Sequence, residues 1–325
     1  MKVYLYALIC LFLTAVSACR RPDGNPMVDV VPLYEDIYGF NRLDTAAQLE
    51  LMCADSVELA AFMTVVSGEP LDRGLVEMWA SSRAVEVFTP LVDSVFEQKP
   101  VVAPVLSKIL DNAAREGIVL PERHYAEVVY GRPESILFVD SVMLVALNHY
   151  LGADFEGYSH LPAYMRLVKN REMIPYDMAE ALVATSYPFE EGAEPTTLSR
   201  LLYEGALAYT KELLVPDSDT ELALGFTPEQ YHWLQKNEKG LWHALVSKGL
   251  LFDTSESTAS RLVDPAPACP DLYPEAPGRT GRYIGYRMLR SYLKKRKGNV
   301  RPDYLLSPEF YNDKNVLTEI SYNPS

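Results

Sequence analysis

The sequence predicts a predominantly helical α+β fold: a helical N-terminal block, a small sheet, then a helical C-terminal half. Two patterns predict it. Apolar residues recur at helical spacing over residues 43–117 and again after Tyr158. Between them lie three short runs rich in β-formers, 125–130, 136–139 and 143–147. With 325 residues, 48% hydrophobic and 23% charged, the chain has a globular balance that excludes wholesale disorder. No strong compositional break follows Leu43, so residues 43–325 are expected to form one domain.

The elements follow in order. Leu49, Cys53, Val57, Ala60 and Ala61 predict the inner face of a first helix, capped by Asp44 or Thr45. Residues 71–81 form a shorter one. Residues 85–96 carry Val85, Val92 and Phe96 but contain Pro90, which should kink or split that helix. Residues 100–113 form another, ended by Gly117. The second and third strand runs are joined by Asp140-Ser141. After a short helical turn or loop at 162–167, residues 175–187 present Met178, Ala181, Leu182 and Thr185 inward. Residues 198–214 form a long apolar helix. Thr227-Pro228-Glu229-Gln230 is a capping box with proline at the first helical position, opening a helix with Tyr231, Leu234, Trp242, Leu245 and Val246 inward. A Pro- and Gly-rich loop at 265–281 precedes a helix over 283–295 with Ile284, Met288 and Tyr292 inward, and the tail docks loosely through residues 304–306 and 310–311.

The N-terminus carries the most specific signal. Residues 3–16 are almost wholly apolar, and this run of 14 is too short for a membrane span of about 20. It fits the core of a secretory signal peptide, residues 1–18. Val16-Ser17-Ala18-Cys19 follows at once. Small residues before a cysteine are what bacterial lipoprotein processing needs, so Cys19 is the expected lipid attachment site and membrane lipid the expected partner. An ordinary signal peptide with a chance cysteine is the plainer alternative. Two or more acyl chains hold stably where one binds reversibly. Residues 19–42, with Pro22, Gly24, Pro26 and Pro32, are expected to carry that lipid and act as a tether. Cys10 leaves with the signal peptide, and Cys53 and Cys269 are expected as separate buried thiols.

The chemistry is sparse. Thirty Lys and Arg against 44 Asp and Glu give a net charge of −14, which argues against nucleic acid as a partner. His124, His149, His160, His232 and His243 make no His-Glu-x-x-His pair, and there is no Cys-x-x-Cys, Gly-x-Ser-x-Gly or phosphate-binding loop. No cofactor and no metal are expected. Glu204 flanks an apolar helix face, where a half-buried acid is either perturbed or, more commonly, paired with Arg or Lys. His149 and Asp154 flank a turn, an arrangement that can orient an imidazole but that a surface turn with Gly152 also explains. Gly281 and Gly285 stand one helical turn apart and let another backbone come close. Arg279, Arg282, Arg287 and Arg290 make the last long helix basic: they could neutralise buried acids or bind an anion, though a solvated face is the simpler account.

Several segments in order resemble one family. Tyr150-Leu151-Gly152-Ala153-Asp154, Ile174-Pro175-Tyr176, Leu201-Leu202-Tyr203-Glu204-Gly205, Gly225-Phe226-Thr227-Pro228 and Pro277-Gly278-Arg279-Thr280-Gly281 resemble landmarks of the gliding motility-associated lipoproteins called GldB, found in Bacteroidetes. The likeness runs from the lipobox to about Tyr292. It implies an envelope lipoprotein tied to gliding and to machinery related to type IX secretion, facing unidentified motility or secretion proteins, and placed in the outer membrane toward the periplasm. It also implies a distant, degenerate zinc-metallopeptidase-like (zincin-like) fold. There the helix at 175–187 stands where a His-Glu-x-x-His helix would be, and the Glu204 helix where a third ligand would come from. No histidine lies within 175–187, so the metal does not carry over.

Two functional classes are expected, with a third behind them. The first is a non-catalytic accessory lipoprotein. The second is a peptidase-like hydrolase using Glu204 with His149 or Asp154. The third is a binder of a small envelope molecule in a cleft beside Arg282 and Arg287.

Overall fold

A computed structural model describes residues 27–97, 99–193, 195–298 and 300–324. The lipobox and Cys19 lie outside the described residues. The folded body begins well before Leu43. Val28 donates its N–H to Ser107 Oγ at 2.8 Å. Val31 bridges in parallel to Ala126, donating to Tyr125 O and accepting from Glu127 N, each at 2.9 Å. Helix α1 (Leu33–Phe40) then buries Leu33, Tyr34, Ile37 and Phe40. The expected tether over 19–42 is thus corrected: its second half is core. Leu33, Ile37 and Phe40 fall at i, i+4 and i+7, an apolar stripe that the neighbouring prolines obscured.

Helices α2 (Thr45–Ala54), α3 (Ser56–Ser67), α4 (Arg73–Ala80), α5 (Arg83–Phe96) and α6 (Val102–Glu116) complete the N-terminal block. The first expected helix is two. The backbone at Asp55 leaves helical geometry, with φ −107° and ψ 29°, and this resets the angular register. Leu49, Cys53 and Val57 are therefore exposed, while Leu59, Phe62 and Met63 go inward. Asp44 is the cap, accepting from Ala47 N at 2.9 Å. Pro90 does not split α5. It lies on the exposed side, where a carbonyl that loses its partner can turn to water.

Strands β1 (His124–Val128), β2 (Ile136–Val139) and β3 (Val142–Ala146) form a sheet in the order β1-β3-β2. β1 runs parallel to β3, and β2 returns antiparallel through Asp140, whose φ is 50°. The central β3 is buried along its whole length, as an apolar run covered on both faces must be.

The C-terminal half is built of α7 (Ala163–Arg166), α8 (Ile174–Ser186), α9 (Thr197–Leu214), α10 (Thr220–Leu224), α11 (Pro228–Ser247), α12 (Glu256–Val263) and α13 (Thr280–Lys295). Three short helices follow: α14 (Pro302–Leu305), α15 (Pro308–Tyr311) and α16 (Val316–Ile320). The capping box at Thr227 is formed as expected. α8 turns Ala179 and Val183 inward rather than Ala181 and Thr185, and Val246 of α11 is exposed. The tail does not dock loosely: Leu305, Leu306, Phe310, Tyr311, Val316 and Ile320 are all buried.

α9 is the axis of this half. It is buried nearly all round and touches α6, α8, α10, α12, α13, α14 and α15. Its closest partner is α13, and glycine sets that approach. A Cβ on Gly285 would lie 1.7 Å from Leu201 O, and one on Gly205 would lie 2.3 Å from the Gly285 carbonyl carbon. Neither obstacle is a side chain that can rotate away. Gly285→Ala should therefore cost at least about 3 kcal/mol in urea unfolding, or prevent folding. Gly131→Ala, with nothing within 4 Å of its Cβ position, should be close to neutral.

Candidate functional site

The close α9–α13 contact brings a charged cluster into the interior. Arg282, one turn before Gly285, is 6% exposed. Its Nε and Nη2 donate to Glu204 Oε2 on α9 at 2.9 and 2.6 Å. Its Nη1 and Nη2 donate to Glu180 on α8 at 3.1 and 2.7 Å. One guanidinium thus joins three helices. Lys211, 1% exposed and two turns after Glu204, donates to Glu180. Arg200, one turn before Glu204, reaches Glu204 Oε1 at 3.0 Å. Glu204 faces ion pairs, and Arg282 is not on a solvated face.

The electrostatics follow from these contacts. Burial pushes the Glu180 carboxyl up, but Arg282 and Lys211 outweigh it and hold it well below the usual carboxylate range. Asp177, one turn earlier on α8, is pushed up to about 6, first by burial and then by Glu180. It accepts from the Tyr150 hydroxyl at 2.9 Å. Burial lowers Lys211 below the usual lysine range, and Glu180 opposes it. The same arithmetic of burial against pairing decides each group: those with a close counter-charge stay ionised.

The other expected residues lie elsewhere. His149, in a short 3-10 turn after β3, accepts from Lys169 Nζ through Nδ1 at 2.7 Å. Burial, then the Lys169 charge, lowers its imidazole to about 4, so it is neutral at pH 7. Asp154 is exposed. Arg287 pairs with Glu238 at 3.0 Å in a groove of about 810 Å³ that also holds Lys236, Lys239, Arg290 and Lys294. The structure therefore joins Glu204 with Arg282 and brings neither into contact with His149, Asp154 or Arg287. Cys53 is exposed and Cys269 buried, so only one of the two thiols is where it was expected.

Beside the cluster lies a cavity of about 350 Å³ bordered by Asp177, Glu180, Lys211 and Arg279. A neighbouring cavity of about 290 Å³ shares Val168, Met173, Gly225 and Arg279 with it, and has Leu167, Phe226 and Pro265 on its walls. Among the described residues, no group of three or more His, Cys, Asp or Glu is placed to hold a metal ion. The acids that converge here converge on a guanidinium.

The family model described as gliding motility protein GldB matches residues 123–324. The chain belongs to this family. The match begins at the sheet rather than at the lipobox and runs past Tyr292 to the tail, so it takes in the cluster, both cavities and the basic groove. Helices α1 to α6 stand outside this GldB match. No curated protein and no solved structure matches the chain. The expected zinc-peptidase-like fold therefore finds no support.

Sequence reasoning missed Glu180, Lys211, Asp177 and Arg200 as members of the cluster. A signal was present for two of them. Arg200, Glu204 and Lys211 fall at i, i+4 and i+11 on a helix whose one other charge is Glu212, and charges on a helix that is buried nearly all round must meet partners.

Two outcomes follow. Arg282→Met leaves Glu180 and Glu204 short of their shared cation and should lower unfolding stability by about 3–5 kcal/mol in urea, with Arg282→Lys falling between. For His149, the unfolded chain gains a proton near pH 6.5 and the folded chain only near 4. Its contribution is whole above pH 6.5 and is lost as pH falls to 4, up to about 3 kcal/mol. Asp177 acts in the opposite sense, gaining stability as pH falls through about 6. The parent should therefore lose more stability between pH 7 and pH 4.5 than His149→Gln does, measured by denaturant titration at both pH values.

Proposed function

We propose that this chain is a lipid-anchored accessory factor of the gliding motility machinery, related to type IX secretion, that acts by holding partner proteins rather than by catalysis. Its site of action is the cell envelope, at the outer membrane facing the periplasm, with Cys19 as the acylated residue. Membership of the GldB family supports the motility role. The lipobox Val16-Ser17-Ala18-Cys19 supports the anchor. Among the described residues no helix is long and apolar enough to cross a membrane, so the lipid carries the attachment in this reading.

One observation supports the non-catalytic part most. Two of the three carboxylates of the cluster, Glu180 and Glu204, are both engaged by Arg282, and each has a second cation in Lys211 or Arg200; the third, Asp177, pushed up to about 6 by burial, accepts from the Tyr150 hydroxyl. A general acid or base needs a proton that can move at working pH. Glu180 is held ionised by its neighbours, and the hydrogen-bonding capacity of both groups goes to the fold.

The test is genetic complementation of a deletion strain, with gliding and protein level both measured. Cys19→Ala should move the protein to the soluble fraction and abolish gliding at normal protein level. Glu204→Gln, which keeps an acceptor for Arg282 but cannot act as an acid or ligand, should support gliding in proportion to the protein that accumulates. Full accumulation of Glu204→Gln with no gliding would overturn the non-catalytic reading. Retention of Cys19→Ala in membranes would overturn the anchor.

A further inference from the structure

Arg279 differs from the cations around it. Arg282, Arg200 and Lys211 each hold a carboxylate, whereas the Arg279 guanidinium makes no hydrogen bond or ion pair with a described residue. It is half-buried at the seam of the 290 and 350 Å³ cavities and lines both. Two backbone features aim it there. Arg279 itself is left-handed, with φ 64°, which costs a non-glycine residue about 1–2 kcal/mol. Gly225, at φ 80°, makes the room: a Cβ there would lie 2.5 Å from Arg279 Nη1. Strain kept at a cavity wall points to use of the side chain it presents.

The charge balance points the same way. Glu180 and Glu204 are taken by Arg282, Lys211 and Arg200. Asp177 is engaged by Tyr150. Glu180, Asp177 and Glu204 act on Arg279 only through space and do not offset its burial, so it is left without a contacting counter-ion in a partly dehydrated place, and such a charge is costly until one meets it. The 290 Å³ cavity adds two properties. Its walls are largely carbon, from Tyr164, Leu167, Phe226, Pro228 and Pro265. Asn170, in the same wall, keeps a buried Oδ1 with no hydrogen-bond partner, closed off in this structure and within reach of a ligand once the wall parts slightly. A ligand that satisfies all three features carries a carboxylate, an N–H donor and an apolar body. The last residue of a polypeptide has that combination.

We infer that this cleft binds the C-terminal carboxylate of a partner polypeptide ending in apolar residues, with Arg279 gripping the carboxylate and Asn170 accepting a backbone N–H. The inference depends neither on the lipid anchor nor on the absence of catalysis, so it can fail while the proposed function stands, and the reverse.

The experiment is titration calorimetry on the full-length chain in detergent. The probes are N-acetyl tripeptides drawn from Ala, Val, Leu and Phe with a free C-terminus, the same peptides as C-terminal amides, decanoate, and inorganic phosphate. Free-acid peptides should bind at least tenfold more tightly than the amides and than decanoate. Arg279→Gln should weaken free-acid binding at least tenfold, with Arg279→Lys between, and Asn170→Leu should weaken it about threefold. Arg287→Gln, in the separate groove, should leave it unchanged. Without peptide, Arg279→Gln should be at least as stable as the parent in urea, because the burial of this guanidinium outweighs the distant carboxylates that favour its charge; a purely structural arginine would cost stability instead. Equal affinity for acids and amides, tighter binding of decanoate, response to phosphate alone, no binding by any peptide, or loss of stability in Arg279→Gln with binding intact would each overturn the inference.

Discussion

A guanidinium taken out of water is tolerated only when its donors are met, and Arg282 meets them with carboxylates from two other helices. That requirement constrains the whole C-terminal half. α8, α9 and α13 must hold their relative positions within a hydrogen bond's tolerance. The two glycines where α9 meets α13 make this possible, because a single methyl group at Gly285 would meet the Leu201 backbone and force the two helices apart. Packing and electrostatics here are one constraint, since the helices approach closely enough for the charges to meet, and the charges fix the register of the approach. The other helices touching α9 then close around an axis that cannot slide.

This arrangement separates what the interior does from what the surface can do. Within the cluster Glu180 and Glu204 are directed at cations of the same chain, and Asp177 at the Tyr150 hydroxyl. Charges left over appear at its edge, in Arg279 and Lys169, and farther off in the basic groove around Lys236 and Lys294. On a chain of net charge −14 such cationic recesses are local exceptions. The proposed holding function would draw on these margins and not on the matched interior.

Much of the fold was legible. The 3.6 periodicity located α4, α6, α8, α9, α11 and α13 to within a few residues, and β-former runs separated by turn residues located all three strands. What failed were properties that local pattern does not encode. The break at Asp55 reset the register, so a face counted across it came out wrong. Leu33, Ile37 and Phe40 were a short stripe hidden behind prolines. For the site, Glu204 was picked out as an acid on an apolar face, and pairing was the favoured account of it. Its partner Arg282 lies 78 residues away on another helix, so the specific pair could not be read from either segment. The suggestion that Gly281 and Gly285 admit a backbone held for the same reason the strands did: a missing side chain is a local fact with a direct spatial meaning.

The early start of the folded body sets a geometric limit on the whole molecule. Order is secured from Val28, pinned to Ser107, and nine residue steps separate that point from Cys19. Even a fully stretched segment of that length reaches only about 30 Å. A lipid on Cys19 would therefore keep the protein on a short leash, with Val28 never farther from the lipidated residue than about 30 Å. The end of the body that carries Val28 and Ser107 would then work close to the lipid surface.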